Sequence, residues 1–155
     1  MATEIERKFL VKSDTWRDRV ESASRIVQGY LVASPRVTVR VRLRGDQAFL
    51  TIKGQAEGIS RSEFEYPIPV ADATAMLNDL TALPPLDKVR HLIRVGDHVW
   101  ELDVFGGDNA GLVMAEIELD AEDEPFELPD WAGEEVTGDP RYYNAYLARN
   151  PFTRW

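Results

Sequence analysis

Apolar and charged residues alternate with a period of two along most of this chain. In 36–44, Val37, Val39, Val41 and Leu43 share one face, and Thr38, Arg40, Arg42 and Arg44 share the other. Successive side chains of a strand point to opposite sides, so this spacing predicts a strand with one apolar and one charged face. The same reading predicts strands over 1–11, 25–33, 47–53, 60–68, 87–95, 98–105 and 112–120. Gly45-Asp46 and Gly96-Asp97 have the residue types of tight turns, which join their flanking strands as hairpins. Apolar residues at three- and four-residue steps predict a helix over 70–83, stopped by Pro84-Pro85. Ser13 or Asp14 can cap a short helix over 15–20, and Asp139-Pro140 signals the start of a last helix over 141–149. The segment 121–139 has no period and is expected to be irregular, with room for one short helical turn. Mostly hairpin-connected strands with two or three helices predict a largely antiparallel α+β fold. No repeat, low-complexity tract or linker divides the sequence, so 1–155 is expected to be one domain.

Composition narrows the class. A 155-residue chain with 44% hydrophobic residues and four Trp can bury a substantial core. The absence of Cys excludes a disulfide framework and thiolate chemistry. No signal-peptide pattern opens the chain, and the apolar run 110–114 is far too short to cross a bilayer, so a cytoplasmic location is expected. A net charge of -9 argues against a general nucleic-acid or anionic-membrane binder.

The distribution of charge changes the picture more than its sum. Residues 36–61 carry six basic residues against Asp46 and Glu57 alone, whereas 95–140 carries fifteen acidic residues and no Lys or Arg. A one-sided sheet explains alternation, because its charged face meets water. It does not explain why the signs separate by strand. Arg40-x-Arg42, Lys53 and Lys88-x-Arg90 lie on basic strands; Glu4-x-Glu6 and Glu116-x-Glu118 lie on acidic ones, with Asp103 a further candidate. If the sheet closes with these faces inward, an eight-stranded barrel acquires one acidic and one basic wall, with room for one small ligand. The apolar faces then turn outward, partly covered by the helices. Paired carboxylates without His or Cys are hard oxygen ligands suited to Mg²⁺ or Mn²⁺. Clustered Arg and Lys suit a compact polyanion such as phosphate. A metal-bridged oligophosphate satisfies both walls at once. His91 and His98 are isolated and read as strand residues, and no nucleotide-binding glycine spacing or G-x-S-x-G is present.

The run Glu4-Ile5-Glu6-Arg7-Lys8-Phe9-Leu10-Val11 resembles the ExExK signature of the CYTH superfamily, the triphosphate tunnel metalloenzymes. The resemblance continues in order through Gln28-Gly29-Tyr30-Leu31, Arg40-x-Arg42, Thr51-Ile52-Lys53-Gly54 and Ser60-Arg61-x-Glu63-x-Glu65. It extends through Lys88-x-Arg90, Glu101-Leu102-Asp103-Val104-Phe105, Glu116-Ile117-Glu118 and Glu134-Glu135-Val136-Thr137. It implies a closed eight-stranded antiparallel β-barrel, a tunnel with a charged lumen and a few flanking helices. It further implies metal ligation by Glu4, Glu6, Glu116 and Glu118, and triphosphate contacts from Lys8, Arg40, Arg42, Lys53, Lys88 and Arg90. Catalytic weight falls on Glu4, Glu6, Glu118 and Lys8.

The expected activity is metal-dependent hydrolysis of a triphosphate, foremost inorganic tripolyphosphate, with two ions of Mg²⁺ or Mn²⁺ per site. One holds the phosphates and the other lowers the pKa of the attacking water. Class IV adenylate cyclase and thiamine triphosphatase on the same scaffold are the alternatives, and a non-catalytic polyphosphate or nucleotide binder is the alternative from another class. Tyr30, Trp100 and Trp131 could stack on a base but are expected to pack in the core or rim. The expected partner is a small-molecule triphosphate, with no nucleic acid and no membrane; a homodimer is an allowed assembly.

Overall fold

The computed structural model describes residues 3–81 and 83–155. Met1 and Ala2, in the predicted first strand, and Ala82, in the predicted helix 70–83, lie outside the described residues. The chain forms β1 (Thr3–Val11), β2 (Val20–Ala33), β3 (Val37–Arg44), β4 (Gln47–Gly54), β5 (Ser60–Ile68), α1 (Val70–Asp79), β6 (Leu86–Val95), β7 (His98–Phe105), β8 (Val113–Glu118), β9 (Ala132–Glu135) and α2 (Asn144–Arg149). The strands run in the order β5-β4-β3-β2-β6-β7-β8-β1, and β1 pairs back to β5. The result is a closed eight-stranded antiparallel barrel.

β1 makes the closure possible. Its first residues pair with β5 (Thr3↔Ser62, Ile5↔Ser60) and its later ones with β8 (Glu6↔Glu118, Lys8↔Glu116). Where β1 has left β5, β9 takes that edge through Phe9↔Glu135 and Val11↔Ala132, with a register shift between them. β9 lies in the stretch expected to be irregular. Its sequence, Ala-Gly-Glu-Glu, has no alternation, and the free edge of β1 supplies the order.

Other boundaries differ for local reasons. β2 begins at Val20 rather than 25, because its polar first residues continue the ladder with β6 from Val20↔Ile93 onward. The residues before it make a 3-10 turn, Thr15–Arg19, anchored by buried Trp16. α1 ends at Asp79, and the Thr81 hydroxyl donates back to the Leu77 carbonyl at 2.8 Å. The predicted last helix is split: a 3-10 turn, Pro140–Tyr142, then extended Tyr143 (φ -74, ψ 138), then α2.

The outward apolar faces form the core. Phe9, Trp100, Leu102, Ile117 and Trp131 pack together, with the Trp100 and Trp131 ring centroids 5.4 Å apart. On the other side α1 lays Ala73 and Leu77 over Val41 and Ala48. Gly29 permits that contact, since a Cβ there would meet Thr81 Cγ2 at 2.7 Å and Leu77 Cδ2 at 2.9 Å. The C-terminal segment behaves differently from the expectation that it covers an outer face. Leu147, Ala148 and Tyr142 cluster with Leu86, Phe105 and Met114. These three share the strand face of Lys88, Asp103 and Glu116, so the segment packs on inward-facing residues at one end of the barrel. Among the described residues no helix is long and apolar enough to cross a membrane.

Candidate active site

Alternation turns the strand faces that carry Glu4, Lys8, Arg40, Arg42, Lys53, Lys88, Arg90, Asp103 and Glu116 into the barrel, while Arg25, Asp87, Glu21 and Arg94 pair outside it. Lys8, Arg40, Arg42, Lys53, Lys88 and Arg90 are all buried, as are Glu4 and Asp103. Uncompensated burial of so many charges is strongly unfavourable, so partners must be found for each. Lys53 Nζ lies 3.0 and 3.1 Å from the two Glu4 oxygens and 3.3 Å from Glu63. Arg61 Nε reaches Glu4 at 3.2 Å. Arg90 grips Asp103 through two bonds of 2.8 and 2.9 Å and reaches Glu101 at 2.9 Å.

Several cations are held by neutral acceptors instead. Lys8 Nζ donates to the Tyr142 carbonyl at 3.0 Å, with Glu116 farther off at 3.5 Å. Arg42 Nε donates to Gln28 Oε1 at 2.9 Å, and Arg40 Nη2 to Thr51 Oγ1 at 3.3 Å. Arg40 Nε is buried and finds no partner among the described residues. Lys8 is shared with Glu116, and Arg40 lies 3.9 Å from Glu65; Arg42 alone of the three has no carboxylate partner among the described residues. Burial pushes Arg42 down to about 9, and the nearby Arg40 and Arg90 cations add to the effect.

The carboxylates divide into two kinds. Glu4 and Glu116 are held ionised: burial would raise both, but Lys53, a hydrogen bond with Glu63 and Arg61 bring Glu4 to about 2. Lys8, Arg90, Lys88 and a hydrogen bond with Glu6 hold Glu116 well below the usual range. Glu6, Glu63 and Glu118 are pushed the other way. Burial, then the charges of Glu116 and Glu4, raises Glu6 well above the carboxylate range. Burial and the bond shared with Glu4 raise Glu63 to about 7. Glu118 is raised by burial, Glu4 and Glu101. Crowded carboxyls that must share protons are relieved by a divalent cation, and their oxygen donors fit Mg²⁺ or Mn²⁺. Among the described residues no three His, Cys, Asp or Glu side chains converge as a preformed cage. The rest of a coordination shell would fall to phosphate oxygens and water, as Mg²⁺ commonly takes.

Between the walls lies a cavity of about 490 Å³. Glu4, Glu6, Glu116 and Glu118 line it, as do Lys8, Arg40, Arg42, Lys53 and Arg90. Lys88 does not: it sits behind the wall, bonded to Asp103 at 2.8 Å and to Asn144 Oδ1 at 3.1 Å, and Asn144 faces the cavity in its place. Arg61, Glu63, Glu65 and Glu101 also line the cavity. Arg61, Glu63 and Glu65 share one face of β5, so alternation could have placed them inside; Gln28 and Asn144 carry no charge and gave no such signal. Tyr30 lines the cavity, whereas Trp100 and Trp131 are buried in the core. His91 packs 4.9 Å from the Trp16 ring, and His98 bonds to Glu124, both away from the lumen.

Fold and lumen together define a tunnel-type β-barrel lined by charges of both signs. The sequence matches the CYTH domain over residues 2–143. It is 45% identical over 152 residues to an inorganic triphosphatase of Acetivibrio thermocellus, covering 98% of this chain and 97% of that protein. It is 40% identical over 150 residues to an inorganic triphosphatase of Nitrosomonas europaea, covering 94% of this chain and 97% of that protein. A crystal structure of an inorganic triphosphatase superposes with a TM-score of 0.68 at 36% identity, covering 96% of this chain and 95% of that one. The chain belongs to the CYTH family.

Proposed function

We propose that this protein is a metal-dependent inorganic triphosphatase that cleaves tripolyphosphate to pyrophosphate and phosphate. The observation that carries the reading is a single cavity lined by both signs of charge, with Lys8, Arg40, Arg42, Lys53 and Arg90 beside Glu4, Glu6, Glu116 and Glu118. The activity of the A. thermocellus and N. europaea relatives supports it.

In this reading Lys8, Arg40, Arg42, Lys53 and Arg90 hold the phosphate chain and stabilise charge that builds on its oxygens. Lys88 adds positive charge from behind the wall. Glu4, Glu6, Glu116 and Glu118 hold divalent cations, two of Mg²⁺ or Mn²⁺. Bound there, such an ion supplies Lewis-acid charge and a water of lowered pKa. Hydrolysis adds one water across a bridging P–O bond: its oxygen goes to the terminal phosphorus, the bridging oxygen leaves with pyrophosphate, and the proton released passes to the products or to solvent, while Lys8, Arg40, Arg42, Lys53 and Arg90 would hold the phosphoryl oxygens throughout. The neutral acceptor Gln28 keeps Arg42 aimed without cancelling its charge. A cytoplasmic location and a small-molecule partner go with this reading. Its direct test is phosphate release from tripolyphosphate with added metal and with chelator; release that is indifferent to metal would overturn it.

A further inference from the structure

Asn144 opens α2, just beyond residues 2–143 that match the CYTH domain. Asparagine is favoured at helix starts because its side chain can cap the backbone. The cap position of α2 is taken by Tyr143, so Asn144 stands at the first helical residue and its side chain is free of that role. Asn144 is turned inward instead, where it lines the cavity, and its Oδ1 accepts a bond of 3.1 Å from Lys88 Nζ. Lys88 is itself fully buried and does not reach the cavity surface.

The direction of this bond fixes the amide. In the ammonium form, which pairs with Asp103 at 2.8 Å, Lys88 has three donors and no acceptor, so the atom facing it is the oxygen. The Asn144 NH₂ group is therefore turned away from Lys88, and it makes no hydrogen bond among the described residues. A neutral amide donor oriented by a buried cation is a phosphate contact that adds no charge of its own. We propose that Asn144 donates its side-chain amide to a phosphate oxygen of the bound polyanion, and that Lys88 serves this contact by fixing the amide's orientation. Extended Tyr143 makes the arrangement possible, since it breaks the helix and brings both Asn144 and the Tyr142 carbonyl, the acceptor for Lys8, to the lumen.

The inference rests on the reading of the lumen as a polyphosphate site. The charged groups around Lys88 are Asp103, Arg90, Arg42 and Glu116, and none can substitute for the amide toward the cavity from the position of Asn144.

The test is calorimetric affinity for tripolyphosphate without metal, beside steady-state kinetics with metal. Losing a hydrogen bond to a charged group should weaken binding by on the order of tenfold in Asn144→Ala. Asn144→Asp preserves shape and the acceptor for Lys88 but replaces the donor with an anion, so it should bind more weakly than Asn144→Ala. In a Lys88→Met background, Asn144→Ala should cost less than it does alone, because the amide there is already unfixed. KM should rise with the loss of affinity. Unchanged affinity in Asn144→Ala, or Asn144→Asp binding as well as wild type, would overturn the contact. Full multiplicative effects of the two substitutions would overturn the orienting role of Lys88. Wild-type protein that binds tripolyphosphate without hydrolysing it would overturn the reaction and leave these affinities to decide on Asn144.

Discussion

Lys53 Nζ bonds to both carboxylate oxygens of Glu4, at 3.0 and 3.1 Å. A proposed phosphate ligand and a proposed metal ligand are thus each other's counterion in the ligand-free protein. Arrival of a metal and a polyanion exchanges this one pair for two, each partner meeting an opposite charge of the ligand.

That exchange separates binding from chemistry. Glu4→Gln removes the counterion and frees Lys53 for phosphate. Metal-free affinity for tripolyphosphate should stay level or rise, while metal-supported turnover should fall by on the order of 100-fold. Calorimetry and a turnover assay on the same preparation check both halves. A variant that loses affinity without metal contradicts the pairing.

Lys88 makes the stability of the empty protein depend on pH. Burial holds its ammonium down to about 7, with Asp103 opposing and Arg90 and Arg42 adding to the shift. An unfolded chain keeps that lysine near 10.4. Between these values the unfolded state binds more protons at this site, so Lys88 contributes a rise of stability with pH from about 7 upward, opposed by the raised carboxyls Glu6 and Glu63, whose linkage has the opposite sign. Arg42, held down to about 9, adds the same slope at the upper end. Denaturant midpoints at pH 7 and 9.5 read the effect, and Lys88→Met should flatten it. An equal slope in the variant would assign it elsewhere.

Arg42 should behave as a fork rather than a point charge. Its Nε is held by Gln28, which leaves the planar head directed by a neutral partner. A ligand that binds the folded state alone stabilises it by mass action. Tripolyphosphate should raise the melting temperature clearly and inorganic phosphate much less, and Arg42→Lys should lose part of the difference. Equal shifts from the two anions would mark the wall as generic charge.

Alternation of apolar and charged residues revealed which side chains share a face, and therefore nearly the whole lumen set once the sheet was taken to close. It did not reveal depth along the barrel axis. Lys88 and Arg90 share a face of β6, yet Arg90 lines the cavity and Lys88 lies behind it. Pairings across the lumen were equally hidden: Glu4 and Lys53 are distant in sequence and meet only because three residues of β1 pair with β5. The inward packing of Leu147 and Ala148 depends on the extended backbone of Tyr143, which the helical spacing of 141–149 conceals. β9 is ordered by the edge of β1 and has no pattern of its own.

On the proposed reading, a metal-loaded tunnel recognises a bare triphosphate and hydrolyses it. Cyclisation of ATP would require the nucleoside to be held with its hydroxyl at near-attack distance from the α-phosphorus, about 3–3.5 Å. Trp100 and Trp131, two candidates for stacking on a base, are buried in the core. The decisive measurement is product formation from tripolyphosphate and from ATP at equal Mg²⁺ or Mn²⁺, on wild type and Glu118→Ala. The expected outcome is phosphate and pyrophosphate from tripolyphosphate, much slower turnover of ATP, and a loss on the order of 100-fold in Glu118→Ala at saturating metal. Cyclic AMP from ATP at a rate matching tripolyphosphate cleavage, or near wild-type turnover in Glu118→Ala, would contradict it.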